Sequence, residues 1–249
     1  MANNLTFWNP KEIVWFSCGA ISAVLAKIAV QVIPHDRLIV CHCDSLAEEH
    51  EDNARFKRDV EQWIGFPITT IKSRQYDSPT AVFDGEQYMV GPRGARCTTE
   101  LKKIPRLRFA APEDWNHFGF TADEADRIRD FERRNPDLRL TWILAELGLT
   151  KQDCLAWIAA SAIKMPAMYG LGFDHNNCKG CVKPASPAYW NLTRRLFPDV
   201  FAARAEQSRR IGCRLVTLHG ERIFLDELPP EETERIEEVL SCGPECGGS

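Results

Sequence analysis

The feature that most constrains the fold is the stretch from residue 11 to residue 33, KEIVWFSCGAISAVLAKIAVQVI. A run of β-branched and aromatic residues predicts a strand that ends at Phe16, small residues follow, and helical spacing begins at Ser22. In such a unit the first N–H groups of the helix and the positive end of its dipole point at the turn. Gly19 has no Cβ to keep an anion away. The stretch is typical of a phosphate-binding loop, and equally of a buried turn without a ligand.

The segments that follow repeat the alternation of strand and helix. Residues 37–43 (RLIVCHC) predict a second strand that ends at Asp44, residues 48–64 show helical spacing, and Ile68–Ile71 is a third candidate strand. This alternation predicts an α/β fold, in which a Rossmann-like parallel sheet is flanked by helices and ligands bind at the carboxyl ends of the strands. Asp44 at such an end is either a contact for a ribose or adenine or a turn-capping residue.

The rest of the chain is more helical and less regular. Residues 74–112 show no clear period, and residues 168–190 are rich in Gly, Asn and Pro. A turn at His219 and Gly220 predicts a terminal hairpin. We expect a nucleotide-binding α/β core over residues 1–113. A helical, cysteine-bearing C-terminal part, residues 114–249, then packs on that core as part of one globular unit.

Composition and charge indicate the compartment of the protein and the classes of ligand that it can bind. No apolar run reaches the roughly 20 residues that span a bilayer, and the N-terminus lacks the basic start and apolar core of a signal peptide. We expect a cytoplasmic protein that does not enter a membrane. The net charge of -4 gives no general attraction to nucleic acid. Residues 91–109, GPRGARCTTELKKIPRLRF, are nevertheless strongly basic, and they form either a solvated loop or an anion-binding segment.

Ten cysteines are many for a cytosolic chain, where disulfides are rare and thiols more often bind metals or act in redox chemistry. Cys178 and Cys181 have the spacing that turns two sulfurs toward one metal or cluster, although a surface loop with two thiols is the simpler alternative. Cys97 is the best third ligand, and Cys213 is the fourth candidate with Cys242 as its rival. Thiolates suit zinc and iron–sulfur clusters alike.

Four segments together resemble a known family. They are SCGAIS from Ser17 to Ser22, EHEDN from Glu49 to Asn53, RCTTELKK from Arg96 to Lys103, and NCKGCVK from Asn177 to Lys183 followed by Tyr189-Trp190. The set is similar to the phosphoadenylyl-sulfate (PAPS) reductase family of the adenine-nucleotide alpha-hydrolase, or PP-loop, superfamily. Its short members from phages and bacteria are the most similar.

The resemblance implies a site and two cofactors. An adenine nucleotide (ATP, PAPS or APS) would bind over the first loop, and a [4Fe-4S] cluster, with zinc as the alternative, would be held by cysteines. The candidate nucleotide contacts are Ser17, Cys18, Gly19, Ala20, Ser22, Asp44, Arg96, Lys102 and Lys103. The resemblance implies Cys97, Cys178 and Cys181 as cluster ligands with one further ligand, for which Cys213 is the candidate.

Two features distinguish branches of that superfamily. Members that cleave ATP have a Gly and an Asp where this chain has Cys18 and Ile21, so a carboxylate that would help to place Mg²⁺ is missing. This favours the reductase branch. Glu245-Cys246-Gly247 resembles the motif that carries the reactive thiol of sulfonucleotide reductases, which makes Cys246 the candidate nucleophile.

Three functions follow as hypotheses. The first is thiol-dependent reduction of a sulfonucleotide, with a thiol reductant protein as partner. The second is a cluster-dependent, ATP-using sulfur transferase that modifies RNA or another acceptor. The third is a nucleotide- or partner-binding protein without turnover, in which a metal only orders residues 168–190. A homodimer is compatible with each of them.

Overall fold

The computed structural model describes residues 9–44 and 46–234. Cys242 and Cys246 therefore lie outside the described residues. Within the described ranges, no helix is long and apolar enough to cross a lipid bilayer.

Within residues 9–44 and 46–234, nine strands and eleven helices are numbered in chain order. The strands are Glu12–Trp15 (β1), Leu38–Cys43 (β2), Ile68–Ile71 (β3), Val90–Gly91 (β4), Gly94–Ala95 (β5), Trp115–His117 (β6), Arg139–Thr141 (β7), Val216–Leu218 (β8) and Glu221–Ile223 (β9). The helices are Ala20–Val32 (α1), Asp52–Ile64 (α2), Pro79–Glu86 (α3), Arg96–Thr98 (α4), Ile104–Phe109 (α5), Ala125–Arg134 (α6), Ile143–Glu146 (α7), Lys151–Ala160 (α8), Ala167–Gly170 (α9), Pro187–Leu196 (α10) and Pro198–Ile211 (α11). A π-helical turn, Thr99–Lys103, joins α4 to α5.

The central sheet has five strands in the order β3-β2-β1-β6-β7, and every neighbouring pair is parallel. This confirms the Rossmann-like α/β fold. After β3 the chain crosses to the other side of β1, so the strand order reverses between β1 and β6. In open parallel sheets, ligands bind at the carboxyl ends of the strands beside such a reversal.

The two faces of the sheet have separate cores because successive side chains of a strand point to opposite faces. Val14, Phe16 and Val40 pack under α1, α2 and α8 on one face. The alternate positions Ile13 and Trp15 pack on the other face, with aromatic residues that follow β6 and lie in α6. The helices are thus on both faces, as the sequence pattern predicts for strands that are buried on each side.

A third core lies away from the sheet. It joins α3 and the β4–β5 hairpin to α10, α11 and residues near the β8–β9 hairpin, with Phe83, Trp190 and Leu215 at its centre. Residues 79–109 thus contain short helices and a hairpin, part of which packs against the C-terminal part. The sheet itself continues past residue 113 into β6 and β7. The sheet and the third core each contain residues from both sides of the expected boundary at residue 113.

The terminal hairpin confirms the turn prediction. β8 pairs with β9 in antiparallel register, and the two turn residues both have positive φ, 48° at His219 and 84° at Gly220. Two left-handed residues match the twist of a two-residue hairpin.

Candidate functional site

The loop between β1 and α1 is held closed by one side chain. The Ser22 hydroxyl accepts the backbone N–H and the hydroxyl of Ser17, each at 3.1 Å, and donates to the Gly19 carbonyl at 2.9 Å. Gly119, which follows β6, comes so close that a Cβ on it would lie 3.5 Å from the Ser22 nitrogen. The start of α1 therefore sits at the point where the strand order reverses.

Cys18 has an unusual backbone conformation in this loop. Its φ is 62°, in the left-handed region where residues other than glycine are strained by about 1–2 kcal/mol. Its thiol is fully buried and points to the Asn53 carbonyl at 3.4 Å. Burial above all, and then the Glu49 carboxylate, raises the pKa of the Cys18 thiol. The thiol is therefore a poor nucleophile and belongs to the interior. Contact between Cys18 and a nucleotide stays a prediction.

Tyr169 reaches the loop from the irregular segment that precedes the cysteine pair. The backbone N–H groups of Ala20 and Asn176 hydrogen-bond to its phenol oxygen, and burial, which outweighs them, raises the pKa of Tyr169 to about 12. A Cβ on Gly19 would lie 3.7 Å from the Ser17 hydroxyl and 3.8 Å from the Tyr169 hydroxyl. Two hydroxyls thus flank the bare face of Gly19 at the start of α1. No sequence pattern points to Tyr169, because an isolated tyrosine in an irregular segment shows no periodicity.

A buried histidine lies at the end of β2. His42 is 1% exposed, and its Nδ1 lies 3.0 Å from the Phe16 carbonyl, so Nδ1 carries the proton and Nε2 is left as an acceptor. Nε2 has no hydrogen-bond partner within the described residues. Ser17, His42 and Lys102 line a space of about 10 Å³, which is room for about one water molecule. Burial lowers the pKa of His42, so the ring is neutral near pH 7.

The other expected nucleotide contacts lie elsewhere. Arg96 and Lys103 line a separate cavity of about 380 Å³ beside the β4–β5 hairpin. Lys102 and Lys103 are adjacent in the π-helical turn but line different spaces. Asp44 pairs with Lys72 at 2.9 Å beyond the end of β3. The structure therefore brings the loop residues and Lys102 together, and it does not bring Arg96 or Lys103 into the small space beside Ser17.

Cys178 and Cys181 lie in one tight turn. The Cys181 N–H points to the Cys178 carbonyl at 3.2 Å and to the Tyr189 hydroxyl at 2.8 Å. Gly180 has φ 65°, and a Cβ there would lie 2.8 Å from Val200 Cγ1, so the turn requires glycine. Both thiols are buried. Two cysteines in one turn could supply at most half of a tetrahedral ligand set.

The remaining expected ligands are partly buried against the third core. The Cys213 thiol donates to the Val90 carbonyl at 3.6 Å, and burial raises its pKa. Cys97 lies in α4, just before the π-helical turn, and packs against the same core. Among the described residues, no group of three or more His, Cys, Asp or Glu side chains is arranged to hold a metal ion. The assignment of Cys97, Cys178, Cys181 and Cys213 as ligands of a cluster or of zinc stays a prediction.

The fold defines a Rossmann-like α/β protein, in which the start of α1 lies at the strand-order reversal. The crystal structure of PAPS reductase from Candida auris, a phosphate complex, is similar to it, with a TM-score of 0.47 and 13% sequence identity. The alignment covers 70% of this chain and 82% of that chain. No protein-family model matches the sequence, and no curated protein matches it either. At this level of similarity, the fold rests on the strand order and register described above.

Proposed function

We propose that this protein binds an adenine nucleotide through an oxyanion held over Gly19 and acts on a sulfonucleotide with a thiol. The observation that carries the proposal is the bare face of Gly19 between the hydroxyls of Ser17 and Tyr169, at the N-terminus of α1. The Tyr169 O–H and a helix N-terminus can donate to an oxyanion. The Ser17 hydroxyl donates to Ser22 in this structure and would have to turn to the anion. The strand-order reversal is where a ligand is expected in such a sheet.

The groups around Gly19 suit an anion that is bound without a metal ion. Tyr169 is protonated near pH 7, as any tyrosine is, and burial raises its pKa further, to about 12, so its O–H can donate. Ile21 Cγ2 lies 3.4 Å from the position that a Cβ on Gly119 would take. Ile21 stands where the ATP-cleaving members of the superfamily would need a carboxylate. Backbone dipoles and hydroxyls would therefore neutralise the phosphate here.

The reaction we propose transfers a sulfonate group to a cysteine. The Cys246 thiolate attacks the sulfur of the sulfonucleotide, an S–S bond forms, and the S–O bond to the nucleotide phosphate breaks, so that the nucleotide leaves with the electron pair. A second thiol of a reductant then attacks Cys246, which releases sulfite and leaves a disulfide. No step in this sequence passes through a cluster. Cys246 lies outside the described residues, and its role rests on the Glu245-Cys246-Gly247 resemblance.

The binding step is tested with the full chain and AMP by titration calorimetry. Gly19→Ala fills the space between the hydroxyls, and the backbone there, with φ -100°, accepts alanine. We expect AMP binding to weaken at least tenfold, which is about 1.4 kcal/mol. Gly170→Ala is the matched control, because a Cβ on Gly170 meets nothing within 4 Å. Equal affinities in the two variants would exclude the Gly19 site.

The chemical step is tested with PAPS and a dithiol reductant, with sulfite as the product measured. We expect sulfite release from the parent protein and none from Cys246→Ser. Sulfite release that persists in Cys246→Ser would remove the thiol from the mechanism.

The buried Cys178–Cys181 turn favours a second candidate, the ATP-using sulfur transferase. The segment that precedes the turn contains Tyr169 and Asn176, which form hydrogen bonds with the loop between β1 and α1. That candidate requires conversion of ATP to AMP with an acceptor and does not require Cys246. The same Cys246→Ser variant, assayed for AMP formation from ATP, therefore separates the two functions.

A further inference from the structure

The cavity beside the β4–β5 hairpin is not part of the Gly19 site. Its volume of about 380 Å³ lies within the range of about 300–1,000 Å³ for small-molecule sites. The hairpin forms one wall, and the π-helical turn with the first part of α5 forms the other. Nothing in the proposed reaction uses this space.

The lining is basic in a protein of net charge -4. Three cations line it, Arg93, Arg96 and Lys103, against the single carboxylate of Glu86. Glu86 is already engaged, because it accepts the Tyr76 hydroxyl at 2.7 Å and pairs with Arg96 at 2.7 Å. Like cations held around one space favour an anionic occupant.

The three cations differ in their contacts. The Arg96 guanidinium is fixed to the cavity wall by Glu86 and by Glu100, the latter at 2.9 Å. Arg93 sits at the tip of the hairpin, where Gly91 pairs with Gly94, and it makes no ion pair or hydrogen bond within the described residues. Burial above all, and then the charge of Arg106, lowers the pKa of Lys103. An anion next to Lys103 would oppose that effect, because it stabilises the ammonium form.

One side of the cavity is apolar. Ile104 and Leu107 line it, and Leu107 is 57% exposed, which is high for a leucine on an amphipathic helix. A ligand that covers this side needs a hydrocarbon or ring portion beside its charge. Inorganic phosphate has no such portion.

We propose that this cavity is a second anion site, which binds a small organic phosphate or sulfate monoester through Arg93, Arg96 and Lys103, with its organic part against Leu107. The site stands on its own lining and does not depend on nucleotide binding at Gly19. It reassigns Arg96 and Lys103 from the nucleotide to a second ligand.

The test measures binding of phenyl phosphate and of inorganic phosphate to the full chain by titration calorimetry. We expect phenyl phosphate to bind at least tenfold more tightly, because only its ring contacts Leu107. We expect Arg93→Gln and Lys103→Gln each to weaken it about tenfold, since each removes a charge-assisted hydrogen bond. Arg108→Gln is the matched control, an exposed arginine of α5 that does not line the cavity. Equal binding of the two phosphates would overturn the organic class of ligand, and an Arg93→Gln variant with unchanged affinity would overturn the site.

Gly19→Ala separates this inference from the proposed function. We expect Gly19→Ala to weaken AMP binding and to leave phenyl phosphate binding unchanged. We expect Arg93→Gln to weaken phenyl phosphate binding and to leave AMP binding unchanged. If phenyl phosphate depends on Gly19 and not on Arg93, the second site does not exist. If neither the parent nor any variant binds AMP, the proposed function fails. The second site still stands in that case, provided that binding of phenyl phosphate depends on Arg93 and Lys103. Circular dichroism of each variant checks its fold, which the exposed position of Arg93 should preserve.

Discussion

The side-chain amide of Asn176 donates a hydrogen bond to the Cys18 carbonyl at 2.7 Å, across 158 residues of sequence. The same amide donates to the Asn53 side-chain oxygen at 2.8 Å, and all three residues are buried. Asn176 stands two residues before Cys178. The contact therefore fixes the loop at the start of α1 to the segment that carries the cysteine turn, and it satisfies a carbonyl that water does not reach.

Replacement of Asn176 by alanine should be strongly destabilising. It leaves the Cys18 carbonyl buried without its donor, which costs about 1–3 kcal/mol of unfolding free energy. Urea denaturation measures the loss. Asn135→Ala is the control, because the Asn135 amide bonds only to the Phe131 carbonyl at the half-buried end of α6. We expect a smaller loss there, and equal losses would mean that the Asn176 contact has no special weight.

The strain at Cys18 predicts a reversal of the usual order of alanine and glycine. At φ 62°, glycine avoids the steric penalty of about 1–2 kcal/mol that alanine retains. We therefore expect Cys18→Gly to be more stable than Cys18→Ala by about 1 kcal/mol. Cys154, buried in α8, is the matched site, and there glycine should be less stable than alanine by about 1 kcal/mol. Thermal unfolding of the four variants checks the reversal, which the same order at both sites would refute.

The sheet could be predicted from the sequence, and the contacts that complete the site could not. Strands and helices require apolar residues at regular intervals, so β1, α1 and β2 can be predicted from the sequence. Tyr169 and Asn176 act through single polar contacts with a loop far away in sequence, and such contacts leave no period. Lys102 and Lys103 look equivalent in the sequence, but the π-helical turn places them beside different spaces. The ligand set of the cysteines stays a prediction for a similar reason, because spacing reveals a pair within one turn and not its distant partners.

Gly180 should be intolerant of alanine for two separable reasons. Its φ of 65° disfavours any side chain, and a Cβ would lie 2.8 Å from Val200 Cγ1. Gly212 has φ 78° with open space around it, so Gly212→Ala measures the backbone strain alone, about 1–2 kcal/mol. We expect Gly180→Ala to cost more than this in urea denaturation. In the Val200→Ala background the excess should shrink, because the opposing methyl group is gone.

If the Val200→Ala background leaves the full cost of Gly180→Ala unchanged, the steric account of the cysteine turn is wrong. The same variants report on the thiols. A turn that opens in Gly180→Ala should expose Cys178 and Cys181 to a thiol reagent at a faster rate than in the parent, while Gly212→Ala should leave that rate unaltered. The rate is measured in native buffer, where global unfolding does not contribute.

The buried histidines set the stability of the protein between about pH 7 and pH 5. Burial lowers the pKa of His42 and of His117 from the usual 6.5, so the unfolded chain binds more protons than the folded one as the pH falls below that value. Stability therefore falls with falling pH in this window, by up to about 1.4 kcal/mol per pH unit for each histidine. Asp52, whose usual pKa is 3.8, acts only at lower pH. His42→Gln should flatten the slope of unfolding free energy against pH, and a second His117→Gln substitution should flatten it further. A slope unchanged by His42→Gln would show that the imidazole gains no proton on unfolding.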